Sequence, residues 1–467
     1  MRKLVLVLLS FVLLFCACKQ DPGSKDVISF TSKMPVVMTG SSIEITNTYK
    51  SSYFLSDSRI FNKDLALLSF GMARADVSDA FSKMQFDTTA IYQNTDDYYD
   101  RCSYFFAHRK IGDHDLVAVV INWSGYNVEW AGNFCVGEKI EGKRSDHKGF
   151  DLAAEWVYDK LLDYIETYFG DNKLKIWISG YSRAGTITDA LAYKIIEDGE
   201  IDVSQENLFA YAFEPSSSID KGFEQPYKCI HNIVNAQDLV ASVPPASWAF
   251  ARPGIDINIS AYPDTVNEYL REVIGKGVSM PNFVADVEKY TTPEQFLSYF
   301  IDMMTEKGND SASPELVSDV LDMLTDNHTY ELEDNPASMK DRQSFYSTIQ
   351  NRLIYLMQLL MKDERKAFSL VFDKIKDMTP YELLGLFAKD SLYNFAKPIL
   401  DEGGIEYVDS ELQEGCSLAY SIASNTIVFP NLIGFIASDK VSNLNYIIVS
   451  HYPEVIYALL KNYRVIH

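Results

Sequence analysis

Ser182 is the residue whose surroundings most strongly predict chemistry. It lies in the segment KLKIWISGYSRAGTITDA, residues 173–190, in which a short apolar run is followed by a helical one. A serine at the turn between a strand and a helix exposes its hydroxyl, and the backbone N–H of the next residue points to the same spot. Strand and helix approach closely there, so the flanking residues must be small. We therefore predict a nucleophile elbow formed by Gly180, Tyr181, Ser182, Arg183, Ala184 and Gly185. The alternative is an ordinary turn between a strand and a helix, without a catalytic role.

A serine hydroxyl becomes a strong nucleophile when a base takes its proton and a third group orients that base. Among the seven histidines, His451 follows the apolar run Tyr446–Val449, which we interpret as a strand near the end of the chain. His451 is therefore the predicted base. Asp238 follows another predicted strand and is the predicted acid, with Asp220 and Asp256 as weaker alternatives.

The negative oxygen formed during such an attack needs hydrogen-bond donors beside the serine. The backbone N–H of Arg183 is one predicted donor, because this residue directly follows Ser182. The second donor should come from the loop after an earlier strand, and the apolar run Leu116–Ile121 predicts such a strand. Ser124 in the following loop is the predicted second donor, and Gly125 is the alternative.

These residues need a scaffold that brings the ends of several strands together. Apolar runs of strand length alternate with helical runs, which predicts an α/β fold with a mostly parallel sheet flanked by helices. Catalytic groups collect at the carboxyl ends of the strands in such sheets, and Ser124, Ser182 and Asp238 each follow a predicted strand. The predicted helices are Ile60–Ala75 and Phe150–Phe169, and the predicted strands are Ser103–Ala107, Leu116–Ile121, Leu174–Ser179, Phe209–Phe213 and Ile230–Asn235.

The pattern changes to helices in the second half of the chain. Three helix starts there place a proline after a capping hydroxyl, at Thr292-Pro293, Ser313-Pro314 and Thr379-Pro380. This helical block leaves the core after Asp238 and returns before His451, so we interpret it as a cap that shapes entry to the site. The predicted segments are a signal peptide, 1–17, a tether, 18–30, a core in two parts, 31–253 and 441–467, and the helical cap, 254–440.

The N-terminal sequence predicts export. Arg2 and Lys3 precede an apolar run from Leu4 to Phe15, which is short for a membrane-spanning helix and typical of a secretory signal. Cys18 follows Ala17 just after this run, as in a bacterial lipoprotein signal. We predict that acyl chains on Cys18 anchor the exported protein at a membrane surface, with a plain cleaved signal as the alternative.

The composition excludes several classes of function. The formal net charge is −23, so we expect no general electrostatic attraction to nucleic acid. No C-x-x-C spacing occurs, and we predict no metal site and no cofactor. Beyond Cys18 the chain has four scattered cysteines whose pairing the sequence leaves open: Cys102, Cys135, Cys229 and Cys416.

Four stretches together resemble the class 3 (fungal-type) lipase family of α/β-hydrolases. LVAVVINWS is similar to the family's strand and oxyanion loop, and HKGF, at His147–Phe150, to its His-x-Gly-Phe opening of a helix. GYSRAG is similar to its nucleophile elbow, and NAQDLVASVPP to its catalytic-acid stretch. The order serine, aspartate, histidine is also that of α/β-hydrolases. The resemblance covers approximately residues 60–250 and 440–467.

The resemblance implies an α/β-hydrolase-like fold and a role for each site residue. These roles are Ser182 as nucleophile, Asp238 as orienting acid, His451 as base, Ser124 and Arg183 as oxyanion donors, and His147 as a structural residue.

Three departures from the family pattern accompany this resemblance. Asn122-Trp123 stands where the family usually has Arg-Gly, and Ala184 replaces a glycine of the elbow. The separation between Asp238 and His451 is far longer than such lipases need, because the predicted cap falls inside it.

The sequence therefore predicts an exported, lipid-anchored serine ester hydrolase that acts through a Ser-His-Asp triad and an acyl-enzyme. Lipid or acylglycerol esters are the first substrate class, on the family resemblance and the apolar cap. Acyl groups on polysaccharides are a second class. A non-catalytic surface lipoprotein that keeps the hydrolase fold as a binding scaffold is the rival function. The oligomeric state and the membrane face stay open.

Overall fold

The computed structural model describes residues 27–283, 292–295, 391–404 and 443–465, with isolated positions at 374, 386, 407, 409–410, 412–413 and 416. Short gaps within these ranges fall at 75, 95–97, 99, 123–128, 130–131, 134, 138, 171, 223–225 and 245.

Strands and helices alternate along the described chain. The strands are β1 (Val27–Val36), β2 (Ser41–Lys50), β3 (Asp87–Tyr92), β4 (Ser103–Ile111), β5 (His114–Asn122), β6 (Leu174–Tyr181), β7 (Leu208–Phe213), β8 (Ile219–Asp220), β9 (Tyr227–Val234), β10 (Phe250–Ala251) and β11 (Gly254–Asn258). The helices are α1 (Lys63–Arg74), α2 (Val77–Lys83), α3 (Lys148–Tyr168), α4 (Arg183–Asp198), α5 (Pro263–Val273), α6 (Ser391–Glu402), α7 (Leu444–Val449) and α8 (Pro453–Asn462).

The central sheet has the strand order β11-β9-β7-β6-β5-β4-β3 within the described part of the chain. The strands from β11 to β5 pair in parallel, whereas β4 and β3 add two antiparallel pairs at one edge. The predicted strands Ser103–Ala107 and Leu116–Ile121 lie in β4 and β5, which pair as an antiparallel hairpin. Every residue of β6 is buried, as expected for a parallel strand that is covered on both faces.

Helices cover both faces of this sheet. On one face α3 and α4 place Phe150, Leu161 and Ile187 in a buried apolar cluster with the sheet. On the other face α1, α8 and the β1–β2 hairpin pack around Phe70 and Trp177. Each large apolar side chain buried in this way stabilises the fold by about 1.5–3 kcal/mol. The predicted α/β-hydrolase-like architecture, a mostly parallel sheet flanked by helices, is therefore confirmed.

The segment before His451 differs from the prediction. Tyr446–Val449, predicted as a strand, belongs to the short helix α7. A short apolar run is compatible with either structure, and tertiary packing decides between them. Here Tyr446 is buried, with its ring 4.8 Å from that of Phe283, whereas Ile448 is 43% exposed. His451 therefore lies in a turn between two helices.

The core extends past both boundaries that the sequence predicts for it. Strand β1 begins at Val27, inside the predicted tether. Strand β11 pairs with β9, and α5 returns to the core through Val266 and Leu270, so the chain beyond residue 254 still belongs to the core. The signal for β11 is the alternation of buried and more exposed residues in Gly254–Asn258, which is typical of a strand with one covered face.

The predicted insertion lies mostly outside the described residues and stays a prediction. Beyond β11, its described secondary-structure elements are helical. Thr292 and Gln295 exchange hydrogen bonds between side chain and backbone, at 3.0 and 3.2 Å, which confirms the first predicted helix start. The other two starts, at Ser313 and Thr379, lie outside the described residues. Glu294 contacts the hydroxyl of Ser242 at 3.3 Å, which places this helix start beside the loop of the predicted acid.

The predicted signal peptide and Cys18 lie outside the described residues. Among the helices that are described, none has the length and apolarity needed to cross a bilayer. The four remaining cysteines lie in the described part of the chain, where no disulfide joins any two of them: Cys102, Cys135, Cys229 and Cys416.

Candidate active site

Ser182 occupies a sharp turn between β6 and α4. Its φ of 60° and ψ of −127° are rare for a residue other than glycine and store strain. The turn is held by the Ser182 amide, which donates to the carbonyl of Phe213 at 2.8 Å. The elbow that the sequence predicts is therefore present, with the serine at its apex.

The elbow needs small residues because α4 lies against the backbone of two strands. A Cβ on Gly180 would be 2.3 Å from the carbonyl oxygen of Ala184. A Cβ on Gly185 would be 2.5 Å from the carbonyl oxygen of Phe213. Ala184 is itself buried and accommodated, so glycine is required at positions 180 and 185 and not at 184.

His451 lies between Ser182 and Asp238 and contacts both. Its Nε2 is 2.8 Å from the Ser182 hydroxyl oxygen, and its Nδ1 is 2.5 Å from Oδ2 of Asp238. With Nδ1 protonated, the imidazole donates to the carboxylate and leaves Nε2 to accept the serine proton. The structure thus brings together the three residues that the sequence predicts as nucleophile, base and acid.

Asp238 is fully buried, in contrast to His451, whose side chain is 22% exposed. Its Oδ1 accepts a hydrogen bond from the amide of Val240 at 2.8 Å, and its own amide donates to the carbonyl of Asn235 at 2.9 Å. A carboxylate fixed from both sides can hold the imidazole in one tautomer and one orientation.

Two side chains hold the turn that carries His451. The hydroxyl of Tyr181 donates to the carbonyl of His451, and the two rings stack at 5.3 Å with an interplanar angle of 24°. Burial raises the pKa of Tyr181 well above its usual value, so the phenol stays a donor. The side-chain amide of Asn235 donates to the carbonyl of Ser450 at 3.2 Å. The histidine is therefore attached to both the elbow and the acid loop.

Arg183, predicted for its backbone N–H, also has a structural side chain that the sequence did not reveal. The guanidinium is 2% exposed, lies 3.5 Å from the buried carboxylate of Glu129, and donates to Asn133 at 2.9 Å. Burial lowers the pKa of Arg183, and the charge of Glu129 opposes this shift. The pair ties the first residue after Ser182 to the chain segment that follows β5.

Glu214 is a second residue that sequence reasoning missed. It directly follows β7, is fully buried, and has a φ of 49°. Its two carboxyl oxygens accept from the amide of Asn235, at 2.9 and 3.1 Å, and the carbonyl of the same Asn235 accepts from the amide of Asp238 at 2.9 Å. Burial raises the pKa of Glu214 well above its usual value, and the charge of Asp238 raises it further.

The alternative acids and the structural histidine lie in other contacts. Asp220 pairs with Lys139, and Asp256 pairs with Arg252 at 2.7 Å. His147, predicted to be structural, is buried at the start of α3, where its amide donates to the carbonyl of Ser218 at 2.8 Å.

The predicted oxyanion loop, with Trp123, Ser124 and Gly125, lies outside the described residues. The role of Ser124 as an oxyanion donor therefore stays a prediction. Among the residues that the structure describes, no group of three or more histidine, cysteine, aspartate or glutamate side chains is placed to hold a metal ion.

Residues 127–248 match the model of a protein family described as Lipase (class 3). This segment contains Ser182 and Asp238 but ends before His451. A search of curated proteins finds no significant match.

Several solved lipase structures are also similar. A fungal lipase in complex with an inhibitor shares 18% identity, covers 44% of this chain and 77% of its own, and has a TM-score of 0.32. A triacylglycerol lipase, described as having a serine protease triad as its catalytic centre, shares 17%, covers 46% and 80%, and has a TM-score of 0.33. The Rhizomucor miehei triacylglyceride lipase shares 18%, covers 45% and 78%, and has a TM-score of 0.31.

Because these TM-scores are low, the conclusion depends on the family match and on the geometry of the site. The match covers the elbow and the acid, and the geometry adds the histidine that contacts both. Together they confirm the resemblance read from the sequence and identify the chain as a serine ester hydrolase similar to class 3 lipases.

Proposed function

We propose that this chain is an exported, lipid-anchored lipase or esterase that hydrolyses lipid esters, with acylglycerols as the first class. The observation that carries the proposal is the hydrogen-bonded series from Ser182 through His451 to Asp238. The class 3 lipase match over residues 127–248 supports lipid esters as the substrate class.

The triad geometry supports an acyl-enzyme route. The Ser182 oxygen attacks the ester carbonyl carbon while Nε2 of His451 takes the serine proton, and Asp238 stabilises the imidazolium. The Arg183 backbone N–H and Ser124 donate to the negative oxygen. The tetrahedral intermediate then collapses, and the departing alcohol takes the proton from Nε2. Water attacks the acyl-enzyme with His451 again as base, the carboxylic acid leaves, and Ser182 recovers its proton.

Two features beside the triad favour an apolar substrate. Ile448, whose carbonyl accepts from the amide of His451 at 3.1 Å, is 43% exposed, so an exposed apolar residue lies next to the turn that carries the base. Glu294, at the first predicted helix start within the cap, contacts Ser242 in the acid loop. A helical cap that passes this point would border the entrance to the site, as the lids and loops that close over active sites do.

The anchor is proposed from the Cys18 signal. The nine residues from Cys18 to Val27, where β1 begins, span at most about 30 Å when extended. The hydrolase would then work close to the bilayer that holds its substrate. Cys18→Ala should move the protein from the membrane fraction to the soluble fraction while it still hydrolyses a soluble ester. A Cys18→Ala protein that stays with the membrane would contradict the anchor.

The hydrolytic proposal is tested with wild type and Ser182→Ala on a panel of esters. The panel contains a triacylglycerol, short and long p-nitrophenyl esters and an acetylated polysaccharide. We expect Ser182→Ala to lower kcat by at least about 10⁴-fold, and wild type to prefer the acylglycerol and the longer acyl chains. A preference for the acetylated polysaccharide would contradict lipid esters as the substrate class but would agree with the triad mechanism.

A binding scaffold is the second candidate, and one observation favours it. Asn122-Trp123 stands where class 3 lipases usually have Arg-Gly before the oxyanion residue. A folded wild-type protein that binds lipid vesicles but hydrolyses no ester on the panel would support the scaffold and contradict the enzyme.

A further inference from the structure

Glu214 is an unusual neighbour for a catalytic aspartate, because it adds a second carboxyl group where one suffices. Both Glu214 and Asp238 are fully buried. The backbone of Asn235 holds both, since its N–H donates to the Glu214 carboxyl group and its carbonyl accepts from the Asp238 amide. The charge of Asp238 raises the pKa of Glu214, in addition to the effect of burial. Two negative charges side by side in a buried site are strongly disfavoured, and a hydrogen bond between two carboxyl groups needs a proton, since two carboxylates offer acceptors only. A single proton between the two carboxyl groups satisfies both conditions.

The surrounding contacts assign this proton to Glu214. Asp238 already accepts from the amide of Val240 through Oδ1 and faces His451 Nδ1 through Oδ2. A protonated Asp238 would give up part of its attraction for the imidazolium that forms during catalysis. Among the described residues, the donor to the Glu214 carboxyl group is a neutral backbone amide, that of Asn235.

The other charged groups near Glu214 do not replace the proton. Among the described cations, Arg252 lowers the pKa of Glu214, but by less than burial and the charge of Asp238 raise it. The Arg252 guanidinium is paired with Asp256 at 2.7 Å, and it donates to the carbonyl of Ala241 at 2.7 Å. Tyr181 faces the same region as a neutral phenol.

Glu214 is also placed to align the triad through Asn235. This residue receives the Glu214 carboxyl on its amide and offers its carbonyl to the amide of Asp238. Its side chain donates to the carbonyl of Ser450, directly before His451. Glu214 is thus linked through one residue, Asn235, both to the loop of the acid and to the turn of the base.

We propose that Glu214 is a positioning residue of the triad that stays protonated in the working enzyme and donates a hydrogen bond to the Asp238 carboxylate. The inference rests on the proposed hydrolase function of the same triad. The Glu214 proton stabilises the ionised aspartate, and the anchor on Asn235 holds the acid and the base in one geometry.

The sharpest test compares the pH dependence of kcat/KM in wild type and Glu214→Gln, an isosteric side chain that is neutral at every pH. A neutral Glu214 predicts that the midpoint of the acid limb stays within about 0.3 pH unit, while kcat falls by less than about tenfold because an amide is a weaker donor. An ionised Glu214 would favour the protonated imidazole. Its removal would then shift the midpoint by about one unit to lower pH, and that shift would overturn the proposal.

Glu214→Ala tests the positioning role. It removes both the donor to Asp238 and the anchor on Asn235, so we expect kcat to fall about 10- to 100-fold with KM unchanged. A folded Glu214→Ala protein with the kcat of wild type would overturn the proposal.

Infrared difference spectra report the proton directly. The carbonyl stretch of a protonated carboxyl group should be present in wild type at neutral pH and lose one component in Glu214→Gln. Asp189→Asn is the matched control, because Asp189 is another buried carboxyl group on α4 whose pKa burial raises well above its usual value. It should remove a different component and leave the pH dependence of kcat/KM unchanged. No spectral loss in Glu214→Gln would contradict a protonated Glu214.

These outcomes separate the inference from the function on which it rests. Wild type without Ser182-dependent hydrolysis would contradict the proposed function. A hydrolytically active Glu214→Gln protein with a shifted acid limb would contradict this inference alone.

Discussion

Two buried pairs of ionisable side chains lie at the triad, and they are opposite in kind. Arg183 and Glu129, beside the nucleophile, are a cation and an anion at 3.5 Å. Glu214 and Asp238, beside the base, are two acids held by the backbone of one residue, Asn235. The first pair is neutral as a whole without any proton exchange, whereas the second pair needs a shared proton.

This difference predicts which side of the site contributes mainly to the stability of the fold and which side mainly to the catalytic rate. Breaking a buried ion pair leaves an uncompensated charge, so its loss acts mainly on folding. Changing the acid pair alters the charge that faces His451, so its loss acts mainly on the rate. The side of the site that holds the nucleophile should therefore respond to mutation in stability, and the side that holds the base in activity.

The largest expected effect is the loss of kcat when the acid pair is changed at Asp238. Asp238→Asn keeps the shape of the acid but removes the charge that stabilises the imidazolium, so we expect kcat to fall about 10⁴-fold. Esterase kinetics measure the rate, and urea unfolding checks that stability changes little. Asp256→Asn, a variant of the alternative acid, should change kcat less than about threefold. A folded Asp238→Asn protein that keeps a tenth of the wild-type kcat would contradict the assigned acid.

The second-largest expected effect is a loss of stability when the ion pair of Arg183 and Glu129 is broken. Glu129→Ala leaves the Arg183 guanidinium buried without its carboxylate, and we expect the free energy of unfolding to fall by about 3–5 kcal/mol. Urea denaturation measures this change. The double variant Glu129→Met with Arg183→Met replaces both charges with apolar side chains and should be more stable than Glu129→Ala. A loss below about 1 kcal/mol in Glu129→Ala would show that the pair does not stabilise the fold.

A third buried group, outside both pairs, gives a pH-dependent effect on stability. His231 is 2% exposed, its Nε2 is 2.8 Å from the carbonyl of Ser58, and burial lowers its pKa to about 4. Because the folded pKa lies below the unfolded value of about 6.5, the neutral ring stabilises the fold above pH ~6.5. This contribution, about 3 kcal/mol in full, is lost as the pH falls from ~6.5 to ~4.

His231→Gln tests this effect, since it removes the titrating ring. Urea unfolding of wild type between pH 7 and pH 4 should show a steeper loss of stability than that of His231→Gln. Parallel losses in the two proteins would contradict the assignment. The pH dependence of kcat/KM should be the same in both, because His231 lies in β9 and not at the triad.

The triad was predictable from the sequence because each member follows a recognisable local pattern. Ser182 lies in an elbow with small neighbours, and Asp238 and His451 come in the expected order. The strand predicted before His451 was wrong, because Tyr446–Val449 has too few residues for its periodicity to distinguish a strand from a helix. Packing against Phe283 decides its structure as α7.

The partners of the two pairs were not predictable in the same way. Glu129 lies 54 residues before Arg183 in the sequence, and nothing in the residues around it marks a buried anion. Glu214 follows a strand end, as Asp238 does, but only the folded backbone after β7, with a φ of 49° at Glu214, shows that both residues bond to Asn235. Long-range pairings of this kind depend on the register of the sheet, which local patterns do not specify.

The most direct test of the central claim is treatment with a fluorophosphonate, followed by measurement of the masses of the intact protein and of its proteolytic peptides. The account predicts that wild type gains a single phosphonyl group on the peptide that contains Ser182, that folded Ser182→Ala gains none, and that His451→Ala reacts far more slowly. A folded wild-type protein that gains no phosphonyl group, or gains it at another residue, would contradict the assignment of Ser182, His451 and Asp238 as the catalytic triad.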